Sequence, residues 1–236
     1  MIDKRVVTVA CAVADIPNGA VVMIGGFGEA GSPTELIHAL IDRGVTDLTV
    51  INNNTGNGEV GLAALIGAGQ VRKMICSYPR SSHSKVFQEL YRAGKIDLEI
   101  VPQGTLAERI RAGGAGVPAF YTATTVGTPL AKGKELRNIN GRDYVLEYSL
   151  TADYALIKSE KGDRLGNLTY NKTARNFNPI MCTAAAITIV QSREIVEVGA
   201  LDAESIITPN IYVDRIVEVS APVTESHLIA EGIRYP

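Results

Sequence analysis

The first 117 residues repeat one unit four times: a short apolar run, a polar or glycine-containing loop, an apolar-periodic helix and a glycine that stops it. The apolar runs are residues 20–24, 48–51, 71–76 and 98–101. The spacing predicts helices at 33–43, 60–68, 84–93 and 106–112, stopped by Gly44, Gly69, Gly94 and Gly113. Glycine suits the position after a helix because a left-handed backbone costs least without a Cβ. Strands that read as solid apolar runs, alternating with helices, belong in a parallel sheet covered on both faces.

Two helix starts carry capping-box spacing, Ser32-Pro33-Thr34-Glu35 and Thr105-Leu106-Ala107-Glu108. Each would close a loop that leaves a strand's carboxyl end. Beyond residue 117 the regularity fades, and 120–134 reads as a long loop. Asn140-Gly141 predicts a hairpin turn between 135–139 and 144–148. Further strands are expected at 154–158, 187–191, 195–198 and 211–219, with a turn at Lys161-Gly162-Asp163 and a partly helical stretch at 174–186. No low-complexity linker interrupts the chain. The expectation is one α/β domain over residues 1–236, a mostly parallel sheet flanked by helices with a β-rich second half.

Charge and cysteine usage narrow the function. Lys plus Arg is 23 against 25 Asp plus Glu, so no positive excess exists to hold a nucleic-acid backbone. A hydrophobic share of 46% is too high for disorder. No run of eighteen apolar residues occurs, which argues against a membrane span. The first residues lack an apolar core and a small-residue cleavage site, so no signal peptide and a cytoplasmic location are expected. Cys11, Cys76 and Cys182 are odd in number and widely spaced, as fits buried thiols rather than a metal site or disulfide framework.

Glycine, at 23 residues of 236, exceeds the usual share of about 7%. Gly26 to Gly31 and Gly56 to Gly61 both match G-x-G-x-x-G. Such loops let backbone N–H groups approach a phosphate beside a helix N-terminus. A dinucleotide site also needs its third glycine inside the helix and an acidic residue ending the second strand. Here the helix follows Gly31, and the second strand ends in Asn52-Asn53-Asn54. No Gly-Lys-Ser/Thr follows either loop. The first loop is therefore either an anion cradle or simply a tight strand-to-helix turn. The loop from Asn52 to Gly61 either lines a crevice at the sheet's carboxyl edge or closes on itself through Asx turns. Gln103, between a strand end and a helix, either offers an amide to an oxyanion or lies on a surface loop.

A nucleophile is harder to find. His38 falls within a predicted helix, His83 near a helix start and His227 near the last residues. Each fits a surface or capping role better than that of a base. There is no G-x-S-x-G elbow and no cluster with metal-ligand spacing. Arg80, Lys85, Arg109 and Arg111 could contact phosphates, although basic residues on helix faces are usually solvated. Glu29 and Glu59 are the carboxylates of the glycine loops, and residues so placed more often cap helices than attack substrates.

The stretch Gly25-Gly26-Phe27-Gly28-Glu29-Ala30-Gly31-Ser32-Pro33 resembles the CoA-binding glycine loop of the family I CoA-transferases, in their α subunit. Residues 101–122, running from Val101-Pro102-Gln103-Gly104 to Thr122, resemble a second signature of that family. Asn53, Asn54, Gly56, Asn57 and Gly58 fit a third, and Gly166 to Tyr170 with 174–181 a fourth. The resemblance spans nearly the whole chain. It implies a CoA-transferase-like (NagB-RpiA-like) fold and an A2B2 heterotetramer, with the CoA-transferase β subunit as partner. Such an enzyme moves CoA from succinyl-CoA to a 3-oxo acid, with CoA as substrate and no tightly bound cofactor. The nucleophile implied is a glutamate of the β subunit in a Ser-Glu-Asn-Gly-like motif, which this sequence lacks. The resemblance assigns CoA binding to Gly25, Gly26, Phe27, Gly28, Glu29, Ala30 and Gly31, and oxyanion stabilisation to Gln103. Asn171-Lys172 and Ala174-Arg175-Asn176-Phe177 point to 3-oxoadipate as acceptor, while Gly113 to Thr122 is equally like the acetoacetate transferases. The rival from another class is a sugar-phosphate or nucleotide-binding module.

Overall fold

The computed structural model describes residues 2–80 and 84–235. After a short helix α1 (Val9–Ala12), the chain alternates as the apolar runs predict: β1 (Val21–Ile24), α2 (Thr34–Arg43), β2 (Leu48–Ile51), α3 (Gly61–Gly67), β3 (Val71–Cys76), α4 (Val86–Arg92), β4 (Asp97–Ile100) and α5 (Gln103–Gly114). A small unit follows, made of β5 (Ala119–Thr122), β6 (Leu136–Ile139) and β7 (Arg142–Tyr148). The chain then returns through β8 (Ala152–Asp163), β9 (Leu168–Thr169), α6 (Asn178–Cys182), β10 (Ala185–Val196), β11 (Arg215–Glu218) and α7 (Glu225–Ala230).

The main sheet has the order β11-β10-β8-β1-β2-β3-β4, with every neighbouring pair parallel. β9 folds back antiparallel on β8. The small sheet is antiparallel, in the order β5-β7-β6. The main sheet therefore grows from β1 in both directions, and its carboxyl edge there is the place where an open α/β sheet takes ligands.

Alternation along each strand feeds two cores. Val22, Ile24, Leu48, Val50, Met74 and Leu156 pack against α2, α3 and α4 through Leu36, Leu40, Leu65 and Phe87. Met23, Ile51, Ile75, Ala155 and Ile157 pack on the other face, against Leu106 and Ile110 of α5 and Met181 and Cys182 of α6. A strand buried on both sides needs apolar residues at every position, which is why these runs look solid in sequence.

Several local expectations fail for tertiary reasons. Neither capping box forms. Ser32 and Glu35 bond instead to the C-terminal segment, Ser32 Oγ to Glu225 and Glu35 to the Val223 N–H. Helix α5 begins at Gln103, so Thr105 lies inside it and Glu108 pairs with Arg111. The stop of α5 is Gly116, at φ +70°, while Gly113 and Gly114 lie within the helix, where a Cβ would strike Leu150 O and Thr183. Lys161-Gly162-Asp163 is part of β8, not a turn. Gly162 is there because Ile216 and Leu168 pack over it. The turn follows at once, with Asp163 Oδ1 accepting from the N–H groups of Leu165, Gly166 and Asn167. The two strands expected at 187–191 and 195–198 are one, β10, paired with β8 almost throughout. The helix expected at 174–186 shrinks to a 3₁₀ turn, Lys172–Arg175, and α6. The strand expected at 211–219 is only β11, and the loop expected at 120–134 opens on β5. The Asn140-Gly141 turn is correct, with φ +51° and +82° as a tight hairpin requires. No helix among the described residues is long and apolar enough to cross a membrane.

Candidate active site

Four consecutive strands end at one cavity. The loop after β1, the loop after β2, the segment after β3 and the first turn of α5 enclose about 540 Å³, lined by Phe27, Gly28, Asn53, Asn54, Gly56, Asn57, Ser77, Tyr78, Arg80 and Gln103. Phe27 and Tyr78 are exposed at 51% and 61%, so aromatic surface faces outward at this site.

The amide-rich loop does both things its sequence allows. Asn52 Oδ1 accepts from Asn54 N, and Asn54 Oδ1 accepts from Gly56 N, so two Asx turns close the connection. Asn52 Nδ2 also donates to Ile24 O and Gly25 O, tying this loop to the first. Asn53 is left to face the cavity. Its Oδ1 accepts from Ser77 Oγ at 2.6 Å and from Gln103 Nε2 at 2.7 Å. The Gln103 amide is therefore oriented, and Nε2 keeps a second N–H. Gln103 is also the first residue of the twelve-residue α5. Backbone N–H groups at that end have no partner within the helix and give the cavity positive potential. Asn54 Nδ2 is buried without a hydrogen-bond partner. Such a donor costs roughly 1–3 kcal/mol while unpaired, so a bound oxygen would be welcome there.

The glycine loop divides into two parts. Phe27 and Gly28 line the cavity, whereas Glu29, Ala30 and Gly31 line a separate cleft of about 740 Å³ over β8 and β10. Gly25, Gly26 and Gly31 are buried. A Cβ on Gly25 would collide with the side chain of Asn178, and one on Gly31 with Ala174 O and the Asn178 amide. Asn178 is fully buried and satisfied: Oδ1 accepts from Lys158 N at 3.0 Å, while Nδ2 donates to Gly31 O at 3.1 Å and Ala174 O at 2.9 Å. Asn178 fixes the loop and has no counterpart in the local sequence signals; an asparagine preceding Pro179 beside apolar residues is the only hint.

None of the described residues lining the cavity is a carboxylate. Glu29 accepts from Ser226 Oγ, and Glu59 pairs with Arg234 at 3.1 Å. Cys76 lies buried beneath the cavity floor, and burial pushes its thiol up to about 12. Among the described residues no group of His, Cys, Asp and Glu could hold a metal ion. Of the basic candidates, Arg80 lines the cavity. Arg109 is buried against Glu99, and Arg111 pairs with Glu108. Lys85 precedes α4, away from the cavity's lining. His83 lies outside the described residues, and His227 pairs with Glu231 on α7.

His38 does cap, but across helices. Its Nε2 accepts from Gly61 N at 3.0 Å, at the start of α3, and its ring stacks on Tyr235 at 3.7 Å between centroids. Burial lowers its pKa, against the raising pull of Glu35 and Asp42. An imidazolium has no acceptor to offer Gly61. With the folded value below the unfolded one, the unfolded chain takes the proton first. The stability is present above about pH 6.5 and is lost as pH falls through the lowered value. We expect the melting temperature to fall from pH 7.5 to pH 5.5, and His38→Gln to show a smaller fall. Parallel pH profiles for the two proteins would refute the role of His38.

Residues 6–219 match the family model for coenzyme A transferase. The chain belongs to the coenzyme A transferase family. It is 60% identical over 233 residues to the first of the two subunits of 3-oxoadipate CoA-transferase in Pseudomonas putida, covering 99% of this chain and all of that one. It is 55% identical over 221 residues to the protein of the same name in Acinetobacter baylyi, covering 94% and 97%. The acyl-CoA transferase YdiF of Escherichia coli O157:H7 shares the fold, with a TM-score of 0.82 at 23% identity over 92% of this chain and 47% of that one. The mostly parallel sheet with its antiparallel satellite is thus a CoA-transferase fold.

Proposed function

We propose that this CoA-transferase chain is the α subunit of an enzyme that moves CoA from succinyl-CoA to 3-oxoadipate. The observation that carries the reading is the cavity itself. It holds an oriented Gln103 amide, a helix N-terminus and a glycine loop, and no carboxylate among its described lining residues. Such a site stabilises an oxyanion and waits for a nucleophile from elsewhere. The substrate follows the two 3-oxoadipate transferase chains. A separate β subunit fits the names of those relatives, each one chain of a larger enzyme, and the half of the YdiF chain that this chain leaves uncovered. We place the pair in an A2B2 assembly in the cytoplasm, with CoA as a substrate rather than a resident cofactor.

The chemistry follows. A glutamate supplied by the β subunit is the nucleophile. It attacks the succinyl-CoA thioester carbon, the C–S bond breaks, and CoA leaves as thiolate from a mixed anhydride. The thiolate returns to the glutamyl carbonyl and releases succinate. The acceptor carboxylate attacks the resulting enzyme thioester, expelling the thiolate, and the thiolate then attacks the acceptor carbonyl and frees the glutamate. Each addition passes through a tetrahedral oxyanion, for which Gln103 Nε2 is the donor in this chain. Phe27, Gly28 and their loop neighbours from Gly25 to Gly31 form the wall along which CoA lies. Contacts far from the thioester then serve catalysis by binding the transition state more tightly than the ground state.

The test is reconstitution. This chain alone should move no CoA from succinyl-CoA to 3-oxoadipate, and the chain mixed with its cognate β subunit should. Full activity from the isolated chain, or none from the mixture, would refute the proposal. Acetoacetate as the better acceptor would leave the chemistry and correct the substrate.

A further inference from the structure

The family-model match ends at residue 219, yet the segment beyond it reaches both glycine loops. Glu225, the first residue of α7, is 2% exposed. Its Oε1 accepts from Ser32 Oγ at 3.1 Å, at the end of the first loop. Its Oε2 accepts from Asn57 Nδ2 at 3.0 Å, in the second. The neighbouring Ser226 Oγ donates to Glu29 at 3.1 Å, again in the first loop. Ile229 fills the space above Gly58, and the carboxylate of Glu225 fills that above Gly61. Farther on, Tyr235 N donates to Glu59 O and its hydroxyl to Asp42.

No cation accompanies this buried carboxylate among its hydrogen-bond partners, which are a hydroxyl and an amide. Burial raises its pKa, and the nearby Glu29 adds to the effect. A buried acid held by neutral donors is a costly way to fill space, because an apolar side chain would do so without desolvation. Its use lies in what it joins. Asn57 and Gly28 stand on opposite walls of the cavity, and Ser32 closes the loop that carries Gly28.

We propose that Glu225 is a positioning residue of the CoA site, setting the distance between the two glycine loops by holding Ser32 to Asn57. The proposal rests on the reading of those loops as the CoA wall. It assigns α7 a role in substrate affinity rather than in bond making, because Glu225 does not line the cavity.

The experiment uses the full chain assembled with the β subunit. Glu225→Ala should raise KM for succinyl-CoA on the order of tenfold, with kcat within about twofold. Glu225→Gln should return KM to within about twofold of the wild type, since its amide still offers an acceptor to Asn57 and a donor to Ser32. Unchanged KM in Glu225→Ala, a Gln variant as impaired as Ala, or a fall in kcat alone would each overturn the proposal. Amide hydrogen exchange on the isolated full chain separates this from the function. There, Glu225→Ala should speed exchange in 26–32 and 56–61 while leaving β2 and β3 protected. If the wild-type complex moves no CoA, the function fails, and the exchange pattern alone decides whether Glu225 links the loops. Should Glu225→Ala not fold, Ser32→Ala and Asn57→Ala each cut one end of the link. Each should raise KM, and the double variant should be no worse than either; independent effects would refute the link.

Discussion

Gln103→Ala in the assembled enzyme should lower kcat on the order of 10²–10³-fold, the usual cost of removing one preorganised oxyanion donor. The reason lies in how the donor is held. Asn53 Oδ1 takes one N–H of Gln103 Nε2 and the hydroxyl of Ser77, so the amide cannot turn its oxygen towards the cavity without breaking a hydrogen bond. The donor needs little reorganisation when charge develops on the carbonyl oxygen. Gln103→Glu should be as damaging as Ala, because a carboxylate would face both Asn53 Oδ1 and the oxyanion. Assembly with the β subunit, followed by size-exclusion chromatography, should be unaffected by either change. A kcat within threefold of wild type, roughly 0.6 kcal/mol, would remove Gln103 from the mechanism.

The second large effect concerns Gly25 and Asn178. Asn178→Ala leaves Lys158 N, Gly31 O and Ala174 O without their buried partner. At about 1–3 kcal/mol per group left unpaired, partly offset by water entering the space, the loss should be about 3 kcal/mol. For a chain of this size that is a fall of roughly 6–12 °C in melting temperature. Gly25→Ala should be destabilising for a single reason, since the residue is not among those with positive φ and its Cβ would meet only the Asn178 side chain. The double variant should therefore be more stable than the sum of the two losses allows, by at least about 1 kcal/mol, because the first change removes the obstacle to the second. Additive losses in a thermal-melting cycle would show that Asn178 is not what requires a glycine at position 25. The same variants should lose affinity for succinyl-CoA, as the loop carrying Phe27 and Gly28 hangs from this contact.

The first half of the fold is legible because one rule governs it. Runs such as 71–76 have to be apolar on both faces, and β3 occupies those same residues. Helix stops at Gly44, Gly69 and Gly94 are legible for a similarly local reason, and all three have positive φ. Where a side chain has a tertiary partner, local rules fail. Ser32 and Glu35 spell a capping box but are claimed by residues almost two hundred positions later. Gly162 spells a turn but serves the packing of Ile216.

The site divides in the same way. Gln103 and the Asn53 loop stand out because they follow strand ends, where open α/β sheets collect ligands. Family resemblance supplies the role of Gln103, and the structure supplies its partner, Asn53. Ser77, Tyr78 and Arg80 also follow a strand end but carry no local pattern that separates them from an ordinary loop. Asn178 and Glu225 are illegible. Both act from elements remote in sequence, and a lone buried polar residue has no periodicity to reveal it. The seven residues of the first loop read as one unit in sequence, yet two of the seven line the cavity and three line the cleft beside it.

The position of β1 has a consequence for biosynthesis. Its neighbour β2 follows within a few dozen residues, but its other neighbour, β8, begins at Ala152. At about 5–20 residues per second, translation leaves that side of β1 bare for roughly 6–25 s. Val21-Val22-Met23-Ile24 is an open, apolar strand edge during that interval, the kind of surface that recruits other nascent chains. A fragment ending before Ala152 keeps the edge for good and should aggregate. The glycine loop hangs from the same strand, and its anchor Asn178 is made later still. The oldest part of the chain thus waits for the youngest before it has a shape.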